Sequence, residues 1–322
     1  MCSYFFRRWR IPLMEGSFRD LEKCQKTYQK TTPSQYFAPQ KIEKALEILS
    51  NYGEEIKIIS GGTDVLVQYY DRLYEVNNWL DLKNILELQK IRISKNQMEI
   101  GATITHSQLE KSEDIKKYFP VLSQAAADIG SPQIRNRGTI GGNIVNASPA
   151  GDLLPPLMAY NAQFKLLSTK GEIIVPAEEF FIGPKKTILE PAQLLTEIIL
   201  PLPSKRTFGC WTKIGKRKAL IIATITLALV VEMAEDNKTI KDVRTCLGSV
   251  APTPIEIKDI REKMIGKNFN QLDFNQLGQI VEDKILPIND IRGTREYRKD
   301  VAKEIMINSL EEVYSSWWRS YR

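Results

Sequence analysis

Ser60-Gly61-Gly62-Thr63-Asp64 and Gly138-Thr139-Ile140-Gly141-Gly142-Asn143 are the two stretches on which the reading of this chain turns. The first follows Ile56–Ile59, an apolar segment that reads as a strand, and precedes Val65–Tyr70, which reads as a short helix. Glycines between a strand and a helix let backbone N–H groups come close to a phosphate, where the helix dipole also favours negative charge. Thr63 offers a hydroxyl donor and a cap for that helix. The second stretch offers bare amides with Thr and Asn side chains beside them. Taken alone, a Gly-Gly between two elements is more often a plain turn. Two in one chain suggest a pyrophosphate clamped from both sides. Neither stretch is a Walker A loop, because no Gly-Lys-Ser/Thr follows, and neither fits the Gly-x-Gly-x-x-Gly of a Rossmann dinucleotide site.

Working outward, Lys41–Ser50 carries Ile42, Ala45, Leu46 and Leu49 at amphipathic-helix spacing, with Gly53 as the stop. Trp79–Leu82 and Gln97–Ile100 read as strands. Val121–Ile129 reads as a small-residue helix with Gly130 at the position that wants a left-handed residue. After the second glycine stretch, Leu153–Tyr160 reads as a helix, and Phe164–Ser168 with Glu172–Val175 as a hairpin about Lys170-Gly171. Leu194–Leu200 reads as a strand closed by Pro201 and Pro203, where a domain boundary is expected. Beyond it, strands near Trp211–Ile214, Ile221–Met233 and Lys241–Gly248 precede helices at about 255–265, 271–285 and 294–315. Strands followed by helices indicate an α+β domain. Residues 1–33, rich in Arg, Lys, Gln and aromatics without a clear period, read as an extension or partner-binding arm.

Composition bounds the function. With 322 residues there is room for two or three domains. The apolar fraction of 43% is that of a globular protein and excludes wholesale disorder. No apolar run reaches the ~18 residues of a membrane span; Ala219–Val231 comes nearest and reads as buried core. The net charge of +6 is scattered, apart from Arg7, Arg8 and Arg10 and the run of Lys213, Lys216, Arg217 and Lys218, so no nucleic-acid partner is expected. Cys2, Cys24, Cys210 and Cys246 include no CxxC pair, and His106 is the single histidine. A zinc or iron–sulfur site built by this chain alone is therefore not expected. No secretory signal is evident, and the chain reads as cytoplasmic with reduced thiols.

The combined motifs carry a resemblance. The Ser60–Asp64 loop, the run Ile129-Gly130-Ser131-Pro132-Gln133-Ile134-Arg135-Asn136-Arg137 leading into Gly138–Asn143, and Ala147-Ser148-Pro149-Ala150-Gly151-Asp152 resemble the FAD-binding medium subunit of the molybdenum hydroxylases. These are enzymes of the xanthine dehydrogenase, carbon monoxide dehydrogenase and aldehyde oxidoreductase type. Leu247–Pro254 and Asp290–Arg298 extend the similarity, which spans about residues 34–313. The resemblance implies an α+β fold: a two-subdomain FAD-binding domain of the vanillyl-alcohol-oxidase-like (PCMH) type over 34–205, then a C-terminal flavoprotein domain over 206–322 with a small antiparallel sheet and helices.

The resemblance further implies a site. Lys57, Ile58, Ile59, Ser60, Gly61, Gly62, Thr63, Asp64 and Val65 would hold the pyrophosphate of FAD, with Gly138, Thr139, Gly141, Gly142 and Asn143 closing the other side. Asp152 would hydrogen-bond the cofactor, Ile129 and Leu195 would make apolar contacts, and Lys213 would lie near the flavin. Other readings stand beside these. Asp152 also reads as a cap for the following helix, Asn143 and Asn146 as turn residues, Arg135 and Arg137 as solvated or structural, Lys213–Lys218 as a solvated face, and His106 as a structural histidine.

In such an enzyme the flavin relays electrons, and this chain supplies binding and orientation. The resemblance implies a molybdenum-binding large subunit carrying the molybdenum cofactor, an iron–sulfur small subunit carrying two 2Fe–2S clusters, and a dimer of heterotrimers. The extra cluster loop of the 4-hydroxybenzoyl-CoA reductase branch is not expected, because Asn143 runs to Asp152 without an insertion. The rivals are a free-standing flavin oxidoreductase of the same fold and an assembly subunit without flavin.

Overall fold

The computed structural model describes residues 34–216 and 222–321. The extension at 1–33, Arg217 and Lys218 of the basic run, and residue 221 of the expected strand lie outside them.

The N-terminal part is a parallel β–α unit. Strand β1 (Gln35–Phe37), helix α1 (Ile42–Tyr52), strand β2 (Ile56–Ile59), helix α2 (Val65–Tyr70) and strand β3 (Asn78–Asp81) give a three-stranded sheet in the order β1-β3-β2. Parallel neighbours need a crossover. Helix α1 supplies one and buries Ala45, Leu46, Ile48 and Leu49 with Ile56 and Leu80 of the sheet. Helix α2 differs, because none of its residues is buried. It serves to carry the chain away from the first glycine loop.

The middle part contains strands β4 (Ile91–Ile93) and β5 (Gln97–Gly101), helices α3 (His106–Lys111), α4 (Glu113–Tyr118), α5 (Pro120–Ala127), α6 (Ile140–Asn146) and α7 (Leu154–Ala159), then strands β6 (Gln163–Ser168), β7 (Gly171–Pro176) and β8 (Leu194–Pro201). The strands form an antiparallel sheet in the order β4-β5-β8-β6-β7. Its apolar face meets the helices in a core that includes Ile100, Phe119, Leu122, Ile140, Leu157, Phe164 and Ile198.

The C-terminal part places strands β9 (Thr207–Ile214), β10 (Ile225–Met233), β11 (Ile240–Gly248) and β12 (Ile255–Glu256) in a four-stranded antiparallel sheet, covered by helices α8 (Lys258–Met264), α9 (Phe274–Lys284) and α10 (Arg295–Tyr321). Strand β10 explains the long apolar run of the sequence. Successive side chains point to opposite faces. Ala228 and Val230 enter the middle core, while Leu227, Leu229 and Val231 enter the C-terminal core. A strand buried on both faces reads as continuous hydrophobicity rather than alternation.

Several boundaries differ from expectation for identifiable reasons. The helix expected over 121–129 ends at Ala127, and Gly130 takes the left-handed φ of +47° that lets the chain leave it. The helix expected over 255–265 starts at Lys258, because Ile255 and Glu256 pair with Leu247 and Cys246 as β12. The one expected over 271–285 starts at Phe274, where the Asp273 carboxylate caps it by accepting from the Gln276 amide. The last helix runs on to Tyr321 instead of stopping near 315. Trp317 holds this extension, packing into the C-terminal core and donating its indole N–H to the Asn237 carbonyl at 2.9 Å. Among the described residues, no helix is long and apolar enough to cross a membrane.

Candidate functional site

The two glycine stretches, 79 residues apart at Ser60 and Thr139, meet in space. The hydroxyls of these two residues are 3.1 Å apart. At Gly61 the approach is closer than any side chain allows: a Cβ built there would lie 2.1 Å from the Arg137 carbonyl oxygen. Gly62 takes a φ of +79°, open to glycine at no steric cost. The amides of Gly61, Gly62 and Thr63 find no protein acceptor among the described residues. Asp64, not Thr63, stands at the N-cap of α2, and its side chain makes no capping bond. The expected cap at Thr63 is therefore absent, and its hydroxyl is not committed to the helix.

The second stretch is less of a loop than its glycines suggested. Ile140–Asn146 is helical, capped by Thr139, whose hydroxyl accepts from the Gly142 amide at 3.1 Å. Asn143 and Asn146 are thus helix residues, not turn residues. The glycines here divide by role. Gly138 accepts from the His106 amide at 3.0 Å and donates to the Ile134 carbonyl at 2.7 Å, and a Cβ on it would strike the His106 ring. Gly141 donates to the Ala102 carbonyl at 2.8 Å, and its Cβ would lie 2.6 Å from that oxygen. Both are required by packing against the layer beneath. At Gly142 a Cβ would meet only Thr139 Oγ1, at 2.9 Å. Asn143 Oδ1 is buried with no partner among the described residues.

Asp152 and Lys213 form the other centre. Their Oδ2 and Nζ are 2.7 Å apart, with the side chains 10% and 5% exposed. Lys213 also donates to the Asp128 carbonyl at 2.8 Å. Two residues earlier on the same face of β9, Trp211 donates to the Asp128 carboxylate at 2.9 Å. Burial pushes the Asp152 carboxyl up to about 6, with Lys213 acting in the opposite direction. Its second oxygen, Oδ1, is buried and unpartnered among the described residues. Two readings fall here. Lys213 is not on a solvated face, because a buried carboxylate draws it inward. Asp152 does not cap the next helix, which starts at Leu154 behind Leu153.

The remaining candidates are placed as follows. Ile58 and Ile59 lie on β2, and Ile58 packs on the N-terminal core. Lys57 sits over the Tyr74 ring at 5.0 Å, and the Tyr74 hydroxyl donates to the Val65 carbonyl at 2.6 Å. That tyrosine fastens the end of the first glycine loop. Ile129 and Leu195 are both buried in the middle core. Arg135 is structural, paired to Glu110 at 2.8 Å. His106 is buried beneath the second glycine stretch, and burial together with Arg135 pulls its imidazole down to about 4. Sequence reading missed Asp128 and Trp211. The signal for Trp211 was its two-residue offset from Lys213 in a strand.

Comparison with known proteins bears on the whole chain. The FAD binding domain in molybdopterin dehydrogenase matches residues 29–203, and the CO dehydrogenase flavoprotein C-terminal domain matches residues 211–313. The carbon monoxide dehydrogenase medium chain of Hydrogenophaga pseudoflava is 30% identical over 281 residues, covering 87% of this chain and 97% of the relative. The xanthine dehydrogenase FAD-binding subunit of Escherichia coli O157:H7 is 29% identical over 277 residues, covering 85% and 94%. Among solved structures, a carbon monoxide dehydrogenase from Hydrogenophaga pseudoflava that lacks the Mo-pyranopterin moiety superposes with a TM-score of 0.83 at 29% identity, covering 89% of this chain and 99% of that one. With both of its parts matched in order along the sequence, the chain belongs to the family of FAD-binding medium subunits of the molybdenum hydroxylases and is an oxidoreductase subunit.

Proposed function

We propose that this chain holds one non-covalent FAD between its two glycine stretches and relays electrons between iron–sulfur clusters on a small partner subunit and an external acceptor or donor. The observation that carries the reading is the closure of Gly61 onto Arg137, which puts the free amides of residues 61–63 beside the capped start of α6. FAD fits what this arrangement leaves unspent. Its pyrophosphate accepts from backbone amides, and its hydroxyl and N–H donors match the buried oxygens Asn143 Oδ1 and Asp152 Oδ1. Residues 57–65, with Thr139, Gly142 and Asn143, are assigned to the pyrophosphate, and Asp152, Ile129, Leu195 and Lys213 to the remainder. Gly138 and Gly141 shape the floor beneath.

When bound, the flavin supplies the redox chemistry, accepting and donating electrons singly or in pairs. The protein's part is to bind, orient and set charge. The Asp152–Lys213 pair places a compact positive charge beside a carboxyl of raised affinity for protons. Substrate oxidation belongs to a molybdenum-binding large subunit, in a dimer of heterotrimers in the cytoplasm. The division at residues 205 and 206 separates the FAD domain from a C-terminal domain that lends Lys213 to the site.

Co-expression with candidate large and small subunits, then size exclusion, metal analysis and acid extraction of flavin, tests this. FAD released into the supernatant and molybdenum and iron co-eluting with this chain are the expected results. A monomer that turns over an organic substrate without molybdenum would favour the free-standing flavin oxidoreductase instead.

A further inference from the structure

We propose that Arg298 is a positioning residue for the cofactor site, fixing Asp152 and Lys213 relative to each other from the first turn of α10. The proposal rests on the FAD site assigned above. Its starting point is a side chain in an unfavourable place. Arg298 is 1% exposed and stands in the first turn of a helix, where the dipole repels a cation. A buried charge there must be satisfied by specific partners.

Those partners lead to the site. The guanidinium donates to Asp290 Oδ1 at 2.7 Å, to the Thr224 carbonyl at 2.6 Å and to the Ser249 carbonyl at 2.7 Å. Ser249 has a φ of +63°, a conformation that a non-glycine residue keeps only when its surroundings demand it. In that conformation its amide donates to the Pro149 carbonyl at 2.8 Å, and its hydroxyl donates to the Ala223 carbonyl at 3.2 Å. Pro149 lies in the turn closed by the Gly151 amide on the Ser148 carbonyl at 2.8 Å, and Asp152 follows directly. The other arm is equally short. The Thr224 amide donates to the Ile214 carbonyl at 2.7 Å, one residue beyond Lys213.

One guanidinium therefore braces both backbones whose side chains meet at 2.7 Å as Asp152 and Lys213. The fork geometry of arginine suits this, because its donors are fixed in one plane and reach several acceptors at once. Asp290 is itself held by Arg292 at 2.6 Å, so the Asp290–Arg298 stretch acts as a unit. This gives a physical role to two sequence motifs, Leu247–Pro254 and Asp290–Arg298, that lie outside the glycine stretches.

The test is Arg298→Lys in the full chain, which keeps the charge for Asp290 but lacks the planar fork. Hydrogen exchange is read on the apoprotein, and FAD affinity on the same preparation. We expect peptides spanning Ser148–Asp152 and the Ser249 amide to exchange about tenfold faster, while helix α1 is unchanged. The FAD dissociation constant should rise by about tenfold. Met264→Ala, a cavity in the C-terminal core, serves as the control for general loosening and should leave exchange at Ser148–Asp152 unchanged. Unaltered exchange there in folded Arg298→Lys, or an equal rise in Met264→Ala, overturns the proposal. If Arg298→Lys does not fold, Asp290→Asn carries the same expectation at reduced size, and no rise there overturns it. A wild-type chain that binds no FAD would refute the cofactor reading, while the exchange comparison would still decide this one.

Discussion

Gly61→Ala probes the closure of the two glycine stretches with one methyl group. The new Cβ would lie 2.1 Å from the Arg137 oxygen and 2.8 Å from the Gly138 Cα. That is about 1.3 Å short of the 3.4 Å at which ordinary contact begins, and both obstacles are backbone. The strand–loop segment at 60–63 must then part from the 137–139 segment. The Ser60–Thr139 bond of 3.1 Å would not survive such a shift. Its loss is worth about 1 kcal/mol, and overpacking adds about 1–3 kcal/mol of strain. If this total of about 2–4 kcal/mol falls on the cofactor-bound geometry, FAD affinity drops by roughly 30–700-fold, since each 1.4 kcal/mol is tenfold. Titrating apoprotein with FAD by flavin fluorescence, alongside thermal melts, measures both effects. Gly266→Ala is the contrast: its φ of +77° makes any side chain strained, but no atom lies within 4 Å. It should cost about 1 kcal/mol of stability and leave FAD affinity alone. A Gly61→Ala protein that melts normally and binds FAD within about twofold of wild type would refute the argument that the two stretches touch at this point.

Gly142→Val should weaken FAD binding far more than it weakens the fold, because the added Cβ meets only Thr139 Oγ1 within the protein; circular dichroism with flavin fluorescence separates the two. Lys213→Met should cost about 3–5 kcal/mol near neutral pH by leaving the Asp152 carboxylate buried alone, and Asp152→Asn on top of it should restore the melting temperature but not FAD binding. Asp152 is raised by burial to about 6 even beside Lys213, so the Lys213→Met penalty should grow as pH rises and shrink in acid; a penalty independent of pH would count against a buried carboxyl. For His106 the sign is opposite. Its folded value of about 4 lies below the ordinary 6.5, so its contribution is present above 6.5 and is lost as pH falls through 4. Denaturant titrations of wild type and His106→Gln should therefore diverge by up to about 3 kcal/mol across that interval, with the variant less sensitive to acid.

Several features were legible because they are local. The spacing of Ile42, Ala45, Leu46 and Leu49 specified α1, and the apolar run to Met233, broken by Thr224, Thr226 and Glu232, read as a buried strand. Helices α3 and α4 start on local signals: Thr105 and Gln108 form a capping box, and Ser112 caps the next helix through the Ile115 amide. Helix α6 was hidden by Gly141 and Gly142, since glycine is a poor helix former and only the Thr139 cap reveals the start.

By itself, then, the sequence determined the glycine stretches and several of the longer strands and helices, because strand and helix periods and backbone freedom are properties of neighbouring residues. It could not separate Gly142, whose Cβ would meet only the Thr139 hydroxyl, from Gly138 and Gly141, which are wedged against His106 and Ala102. Nor could it pair Asp152 with Lys213, turn Lys213 inward, or bring Arg298 beneath Thr224 and Ser249. Those pairings join residues from 49 to 74 positions apart in the chain. Packing of the C-terminal sheet against the FAD domain brings Asp152 to Lys213, and packing within the C-terminal domain brings Arg298 to Thr224 and Ser249; in both places the cost of burying an unpaired charge selects which side chains must meet.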